Sequence, residues 1–165
     1  MNDLLSPRYR RLFEYEEVSH AKVLAALEAV PVERRDSADF QKAVDLLAHI
    51  VAARRLWLAR LGQTPAGSGW IEPEGTALAE LPAQLAEMHV LWSRYLAGLS
   101  DADVLRSFEY QSLDAGRFRN TLDEVLTQLY GHSLYHRGQI ALRIKALGGQ
   151  PPPTDFIFWA RVALP

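Results

Sequence analysis

The sequence contains no cysteine, which excludes disulfide bonds, thiolate metal sites and a cysteine nucleophile. Any metal ion bound by this chain must therefore be held by histidine, carboxylate or water. The formal net charge is only −2 over 165 residues. Such a balance provides neither the basic surface typical of nucleic-acid binding nor a polybasic segment for a membrane surface. We expect a protein that binds neither.

Long apolar runs are also missing. No segment reaches the roughly 18 uninterrupted apolar residues that a membrane-spanning helix needs. The N-terminal residues, M-N-D-L-L-S-P-R-Y-R-R, lack the apolar core of a secretory signal, so we expect a cytoplasmic location. Hydrophobic residues make up 48% of the chain and charged residues 23%, which is typical of soluble globular proteins. The length suits one domain over residues 1–165.

Apolar residues recur at helical spacing in four segments, which predicts four amphipathic helices. The predicted helices run from Ser6 (the N-cap) to Val30, from Asp36 or Ser37 to Gly62, from between Thr76 and Pro82 to Leu99, and from Thr121 to Gly148. Residues 104–119 alternate between aromatic and polar side chains around a D-A-G turn at 114–116, which indicates a short β-hairpin. The fold class is therefore all-α, a four-helix bundle with a β-hairpin before the last helix.

Two further segments carry expectations. The Gly- and Pro-rich stretch at 62–75 is the clearest loop, and Trp70 and Ile71 suggest that it packs back on the body. The tail D-F-I-F-W-A-R-V is too apolar to remain in solvent, so we expect it to dock on the bundle.

The predicted last helix contains a pair of histidines, His132 and His136, four residues apart. This spacing places both imidazoles on one face, one turn apart, as two ligands of one metal ion require. His49 lies in the strongly apolar middle of the second helix and is the natural third ligand from across the core. Three neutral imidazoles would leave an open position where bound water acquires a pKa near ~7. The alternative is a set of hydrogen-bonded structural histidines.

Other metal chemistries fit the sequence less well. Residue 133 is serine, so the H-E-x-x-H motif and its general base are missing. A di-iron bundle needs two Glu-x-x-His motifs, and the chain has only the one that ends at His20. We expect His20 and His89 to lie at the surface or at a pocket edge rather than to bind metal.

Several neighbours of the histidines also invite interpretation. Asp45 lies one turn before His49 and could orient its ring. Gly131 and Gly138 could let a neighbouring helix approach. Spacing alone leaves Arg137 and Gln139 open to the pocket, a subunit interface or solvent. It names neither a catalytic residue nor a general acid or base.

The segment H-S-L-Y-H-R-G-Q-I, followed by L-G-G-Q-P-P-P-T-D-F, resembles the signature of the DinB/YfiT-like superfamily. These are small metal proteins, distinct from the DNA polymerase that shares the name. The mid-helix histidine in A-H-I-V-A-A-R-R-L-W-L-A-R-L-G and the F-E-Y hairpin fit the same pattern. The resemblance implies a bundle with up-down-down-up connectivity, frequent homodimers and a divalent metal ion. That ion is most often zinc or nickel, with iron also compatible, and the ligands would be His49, His132 and His136.

The resemblance also implies candidate activities. The superfamily includes thiol S-transferases that use bacillithiol, related mycothiol-dependent isomerases, and many members known only as proposed hydrolases. Our leading hypothesis is a metal-dependent enzyme that transfers a low-molecular-weight thiol to a small electrophile. A metal-dependent hydrolase and a non-catalytic metal-binding stress-response protein are the alternatives. Nothing in the sequence identifies a thiol pocket.

Overall fold

The computed structural model describes residues 4–65, 72–113 and 116–164, and these form a helical bundle with a β-hairpin, as predicted. The elements in chain order are α1 (Leu5–Glu28), α2 (Ala38–Arg60), α3 (Leu81–Ala97), α4 (Asp101–Val104), β1 (Ser107–Gln111), β2 (Arg117–Thr121), α5 (Leu122–Ala146) and α6 (Phe156–Ala160). Short 3₁₀ turns at Val32–Arg34 and Leu78–Glu80 precede α2 and α3. None of the helices in these ranges combines the length and apolar character needed to cross a bilayer.

The four long helices form a ring in the order α1, α3, α2, α5. In this ring α1 and α2 lie diagonally and make few contacts with each other. One continuous apolar core joins them, with Trp92, Leu47, Met88 and Ile140 almost fully buried. The two strands pair antiparallel with Tyr110 opposite Phe118. The most extensive packing between helices joins α2 and α5, the two helices that carry the predicted ligands.

Local capping signals place two of the long helices as predicted. The Ser37 side chain accepts a hydrogen bond from the Phe40 N–H at the start of α2. Thr121 and Glu124 form a reciprocal capping box at the start of α5. Gly148 has φ +83°, the left-handed conformation that terminates a helix at low cost for glycine.

The prediction for the start of α1 was wrong. Ser6 is buried inside the helix rather than capping it. The backbone N–H groups of Leu4 and Ser6 instead donate to the Asp101 carboxylate at 2.7 and 2.8 Å, and Leu5 donates to it at 3.0 Å. Because Asp101 lies in the first turn of α4, a short helix that the sequence analysis missed, this cap could not be found from local pattern.

Two expectations remain, for the C-terminal segment and for the 62–75 loop, and the structure tests only the first. The C-terminal segment docks on the bundle as predicted, with the rings of Phe156 and Trp159 centred 5.2 and 5.8 Å from that of Tyr15. Trp70 and Ile71 lie outside the described residues, as do the first two residues of the D-A-G turn.

A layer of polar side chains crosses the interior of the bundle. Glu16 of α1 is 2% exposed and forms ion pairs with Arg54 of α2 and Arg137 of α5. Arg137 also donates to the Tyr15 hydroxyl at 2.9 Å. Burial raises the pKa of Glu16, although both arginines oppose that shift. Arg137, which the sequence left unassigned, therefore belongs to the core.

His20 and His89 lie beside this layer, and the expectation that they occupy the surface or a pocket edge was wrong. Their exposed fractions are 0% and 8%, and His20 Nδ1 lies 3.2 Å from His89 Nε2. His89 Nδ1 points towards the Glu17 carboxylate at 4.0 Å. This arrangement favours a proton on Nδ1 of each ring, with His20 donating to His89. The pair supplies an internal hydrogen bond to His20 Nδ1 and His89 Nε2, whereas His20 Nε2 is buried without a hydrogen-bond partner among the described residues.

Acid should destabilise the protein through this pair. Burial, followed by the charge of Arg54, lowers the pKa of His89 from 6.5 to about 4, and burial lowers that of His20 strongly. Between those pKa values the unfolded chain binds protons that the folded chain does not, so stability present above pH 6.5 is lost as the pH falls towards 4. His89 alone should account for about 2 kcal/mol between about pH 7.5 and about pH 5.

Urea unfolding of metal-free protein at both pH values measures this loss. The His89→Leu variant should lose less stability on acidification than the unmodified chain. Equal losses in the two proteins would contradict the assignment.

Candidate metal centre

Three histidines converge between α2 and α5. His49 lies in the middle of α2, while His132 and His136 lie one turn apart on the facing side of α5. His132 Nε2 is 3.0 Å from His49 Nε2 and 3.1 Å from His136 Nε2. One nitrogen from each of the three residues falls within 4.8 Å of the other two, and all three side chains are half-buried. This cluster could hold a metal ion.

Two polar side chains contact the ring nitrogens that point away from the centre. His49 Nδ1 lies 3.0 Å from Oε1 of Glu72, and His136 Nδ1 lies 2.8 Å from Oε1 of Gln139. Both contacts require a proton on Nδ1, which leaves Nε2 of each ring as a bare acceptor. Partners of this kind fix the tautomer and orientation of metal-binding histidines.

When all three rings are neutral, at most one proton is available to the three Nε2 atoms at the centre of the cluster. The bare Nε2 atoms of His49 and His136 both face Nε2 of His132, which carries at most one proton in the neutral ring. That proton can be donated to only one of the two other rings at a time. A cation among the three nitrogens satisfies all of them. The donor set therefore fits a divalent ion.

The surroundings favour the neutral form of two of these imidazoles. Burial lowers the pKa of His132 to about 4, and the neighbouring His136, His49 and Arg54 act in the same direction. Burial also lowers the pKa of His49, although Glu72 opposes this effect. Because only the neutral ring can ligate, these shifts reduce the competition between protons and a metal ion.

The serine between the two α5 histidines faces the buried ion-pair layer. Ser133 is fully buried, and its hydroxyl lies 3.4 Å from Nη2 of Arg54. The side chain at this position thus points towards the core of the bundle, beside the guanidinium that pairs with Glu16. A glutamate at 133 would join that ion-pair layer rather than serve the metal centre as a base.

Comparison with known proteins agrees with this architecture. A family model described as the DinB family matches residues 1–163. The chain belongs to the DinB family. Protein DinB of Bacillus subtilis (strain 168) is 25% identical over 157 residues, covering 88% of this chain and 90% of the relative. No solved structure was found to match the chain.

A small cavity opens beside the histidine cluster of this DinB-family protein. Its volume is about 240 Å³, and His49 and His132 form part of its wall. Most of the remaining lining is apolar, including Leu56, Trp57 and Leu113. Gln128 is the polar side chain at the wall that belongs to neither the cluster nor its supporting residues. The cavity suits a small molecule with an apolar body.

Some neighbours of the histidines differ from expectation. Asp45 does not orient His49. Its carboxylate accepts hydrogen bonds at 3.0 Å from the Gln41 side chain and from the Thr76 N–H. The second of these bonds holds the end of the 62–75 loop against α2. A Cβ atom added at Gly131 or Gly138 would meet no atom within 4 Å, so none of the described helices approaches these two glycines.

Sequence reasoning missed the role of Glu72 and left that of Gln139 unassigned. Glu72 is separated from His49 by more than 20 residues, so no helical spacing connects them. Gln139 carried a usable signal, because it lies three residues after His136 on the same helix. An amide at that distance can accept from the ring of the preceding turn.

Replacing Gln139 with leucine should weaken metal binding. The change removes the acceptor that holds Nδ1–H of His136, so the ring loses its fixed tautomer, and such losses typically reduce affinity about 10- to 100-fold. Competition with a chromophoric chelator measures the affinity for zinc and nickel. Gln139→Glu, which retains an acceptor, is the matched control and should keep affinity near that of the unmodified protein. Unchanged affinity in Gln139→Leu would contradict the role assigned to this contact.

Proposed function

We propose that this protein is a metal-dependent enzyme that transfers a low-molecular-weight thiol to a small electrophile. The proposed ligands are His49, His132 and His136, and the proposed ion is zinc or nickel. The observation that carries the proposal is the convergence of three Nε2 atoms, two of them on rings whose Nδ1 atoms contact Glu72 and Gln139. Membership of the DinB family, whose members generally bind metal, supports it.

The spacing of the nitrogens is compatible with ligation. Two imidazole nitrogens bound to one tetrahedral zinc ion at ~2.0–2.1 Å lie roughly 3.3 Å apart. The distances of 3.0 and 3.1 Å around His132 differ from that value by a few tenths of an ångström. Imidazole is a good ligand for zinc, nickel and iron alike, so the choice of ion depends on availability as well as on the protein.

His49, His132 and His136 would hold the divalent ion, which would retain its full charge on these neutral ligands and would supply the chemistry of lowering the pKa of a thiol or water. The chain's own residues would position the reactants. The apolar walls at Leu56, Trp57 and Leu113 exclude water and accept the apolar part of the electrophile. Gln128 offers an amide to orient a polar group of either substrate.

Thiol transfer suits this cavity better than hydrolysis. Among the described lining residues there is no carboxylate and no lysine to serve as a general base. Glu72, the nearby carboxylate, is already in contact with His49 Nδ1. A thiol loses its proton readily and needs little help from a base, whereas water activation commonly uses one. In the proposed step the sulfur forms a bond to the electrophilic carbon, the leaving group departs with its electron pair, and the thiol proton passes to solvent.

Two other functions remain as alternatives. A hydrolase would use the same ligands with water in place of the thiol. A non-catalytic metal-binding stress-response protein would bind the ion without turnover. The three possibilities share the metal site and differ in what the loaded protein does to an electrophile.

The metal-loaded protein should turn over an electrophile only when a thiol is supplied. We expect chlorodinitrobenzene to react with added cysteine or another small thiol faster in its presence, as followed by absorbance. The His132→Ala variant should lose the bound ion and this activity, because it removes the nitrogen at the centre of the cluster. His89→Leu removes a buried histidine outside the cluster and should retain both once circular dichroism has verified its fold.

Each result separates the alternatives. Turnover of nitrophenyl acetate without thiol would favour the hydrolase, and absence of turnover with every thiol and ester would favour the non-catalytic protein. Full metal content in His132→Ala would disprove the assignment of the three histidines as ligands.

We also propose that the chain forms a homodimer through the solvent-facing side of α5. Leu134, Tyr135 and Leu142 are 40%, 65% and 71% exposed on that side, an arrangement typical of an interaction surface. The open space beside Gly131 and Gly138 would allow a second helix to approach.

Sedimentation analysis should therefore find a dimer that Leu142→Arg converts to a monomer. Leu105→Arg places the same charge at another exposed leucine and serves as the control. A monomer at all concentrations, or equal effects of the two changes, would disprove this interface.

A further inference from the structure

A second and larger cleft lies on another side of the bundle, between α1 and α5 and bordered by α6. Its volume is about 660 Å³, within the range of small-molecule sites. Leu5, Leu12 and Phe156 supply an apolar lining, and Tyr130 adds an aromatic wall. Neither the proposed metal-dependent reaction nor the family comparison uses this cleft.

The cleft is separate from the metal centre. The two cavities have no lining residue in common. Thr127 and Tyr130 face the larger cleft from α5, whereas Gln128 and His132 of the same helix face the metal pocket. Successive residues on a helix are rotated by about 100°, so these two sets project to different sides of α5.

The charges along the cleft favour an anion. Arg8 and Arg11 line it from one side of α1, and Asp123 is the acidic residue opposite. The Asp123 carboxylate already accepts a hydrogen bond from the Tyr9 hydroxyl at 2.7 Å, and that hydroxyl also lies 2.8 Å from Thr127 Oγ1. The Asp123 carboxylate is thus hydrogen-bonded to another residue of the cleft wall. Because two arginines and one carboxylate line the cleft, its net charge is positive.

Both arginines are available to a ligand. In the described parts of the chain, every ion pair formed by an arginine involves an arginine other than Arg8 and Arg11. Arg11 packs over the ring of Trp159 at 5.7 Å, which steadies its guanidinium beside the cleft. A guanidinium held in this way can bind a carboxylate or sulfonate through two parallel hydrogen bonds.

We infer that this cleft binds a small organic anion, a molecule with one carboxylate or sulfonate group on an aromatic or branched apolar body. The apolar body would occupy the space lined by Leu12, Tyr130 and Phe156, and the anionic group would lie against Arg8 and Arg11. Apolar burial would supply most of the affinity, while the arginines would select the anion over a neutral analogue.

Two fluorescent probes of similar shape test the inference. Anilinonaphthalene sulfonate carries the anionic group, and phenylnaphthylamine is its neutral counterpart. Removing both cationic groups in Arg8→Gln/Arg11→Gln should weaken sulfonate binding about tenfold and leave the neutral probe unchanged. Arg34→Gln/Arg94→Gln changes the net charge equally at two exposed positions outside the cleft and is the control.

A second variant tests the location directly. Thr127 is exposed at the cleft, so Thr127→Trp should fill the space without disturbing the core and should weaken both probes. Circular dichroism verifies the fold of each variant. Affinity should be the same in chelator-treated protein and in His132→Ala, which distinguishes this cleft from the proposed metal pocket.

Three results would overturn the inference. The first is equal affinity for the sulfonate in the double-arginine variant and its control. The second is probe binding that disappears with His132→Ala, which would place the probe in the metal pocket. The third is a dimer that dissociates when Arg8 and Arg11 are replaced, because the cleft would then be occupied by a second copy of the chain.

Discussion

The close packing of α2 against α5 is the constraint on which the candidate centre depends. His132 and His136 share one face of α5 by helical geometry alone, but two ligands on one helix leave a metal ion weakly held. The third nitrogen comes from His49, and only the α2–α5 interface brings it to 3.0 Å from His132. The apolar residues that bury this interface therefore also assemble the site, so that folding and site formation are the same event.

Most of the secondary structure was predictable because its signals are local. Ser37, Thr121 and Gly148 mark helix ends through contacts with residues a few positions away, and the apolar period identifies the faces that meet. The three clustered histidines were predictable for a related reason, since one pair follows helical spacing and the third lies in a helix too apolar to remain exposed.

The features that sequence reasoning missed depend on contacts between distant parts of the chain. Asp101 caps a helix almost one hundred residues earlier, and Glu72 reaches His49 from a loop. His20 and His89 each look like isolated polar residues in the sequence, and the contact between them lowers the cost of burying both. Pattern analysis assigns a burial cost to single residues, whereas contacts between pairs of residues lower these costs.

The polar interior and the histidine cluster are also linked electrostatically. Burial is the main cause of the lowered pKa of His132 and His89, and the positive charge of Arg54, which pairs with Glu16 inside the bundle, adds to it. A cation fixed near a ligand would ordinarily repel a metal ion, but the partner carboxylate of Arg54 moderates that effect at longer range. The same charge favours the neutral form of His132 that ligation requires. A buried ion pair, which by itself is weak evidence for stability, here adds to the effect of burial in favouring neutral His132.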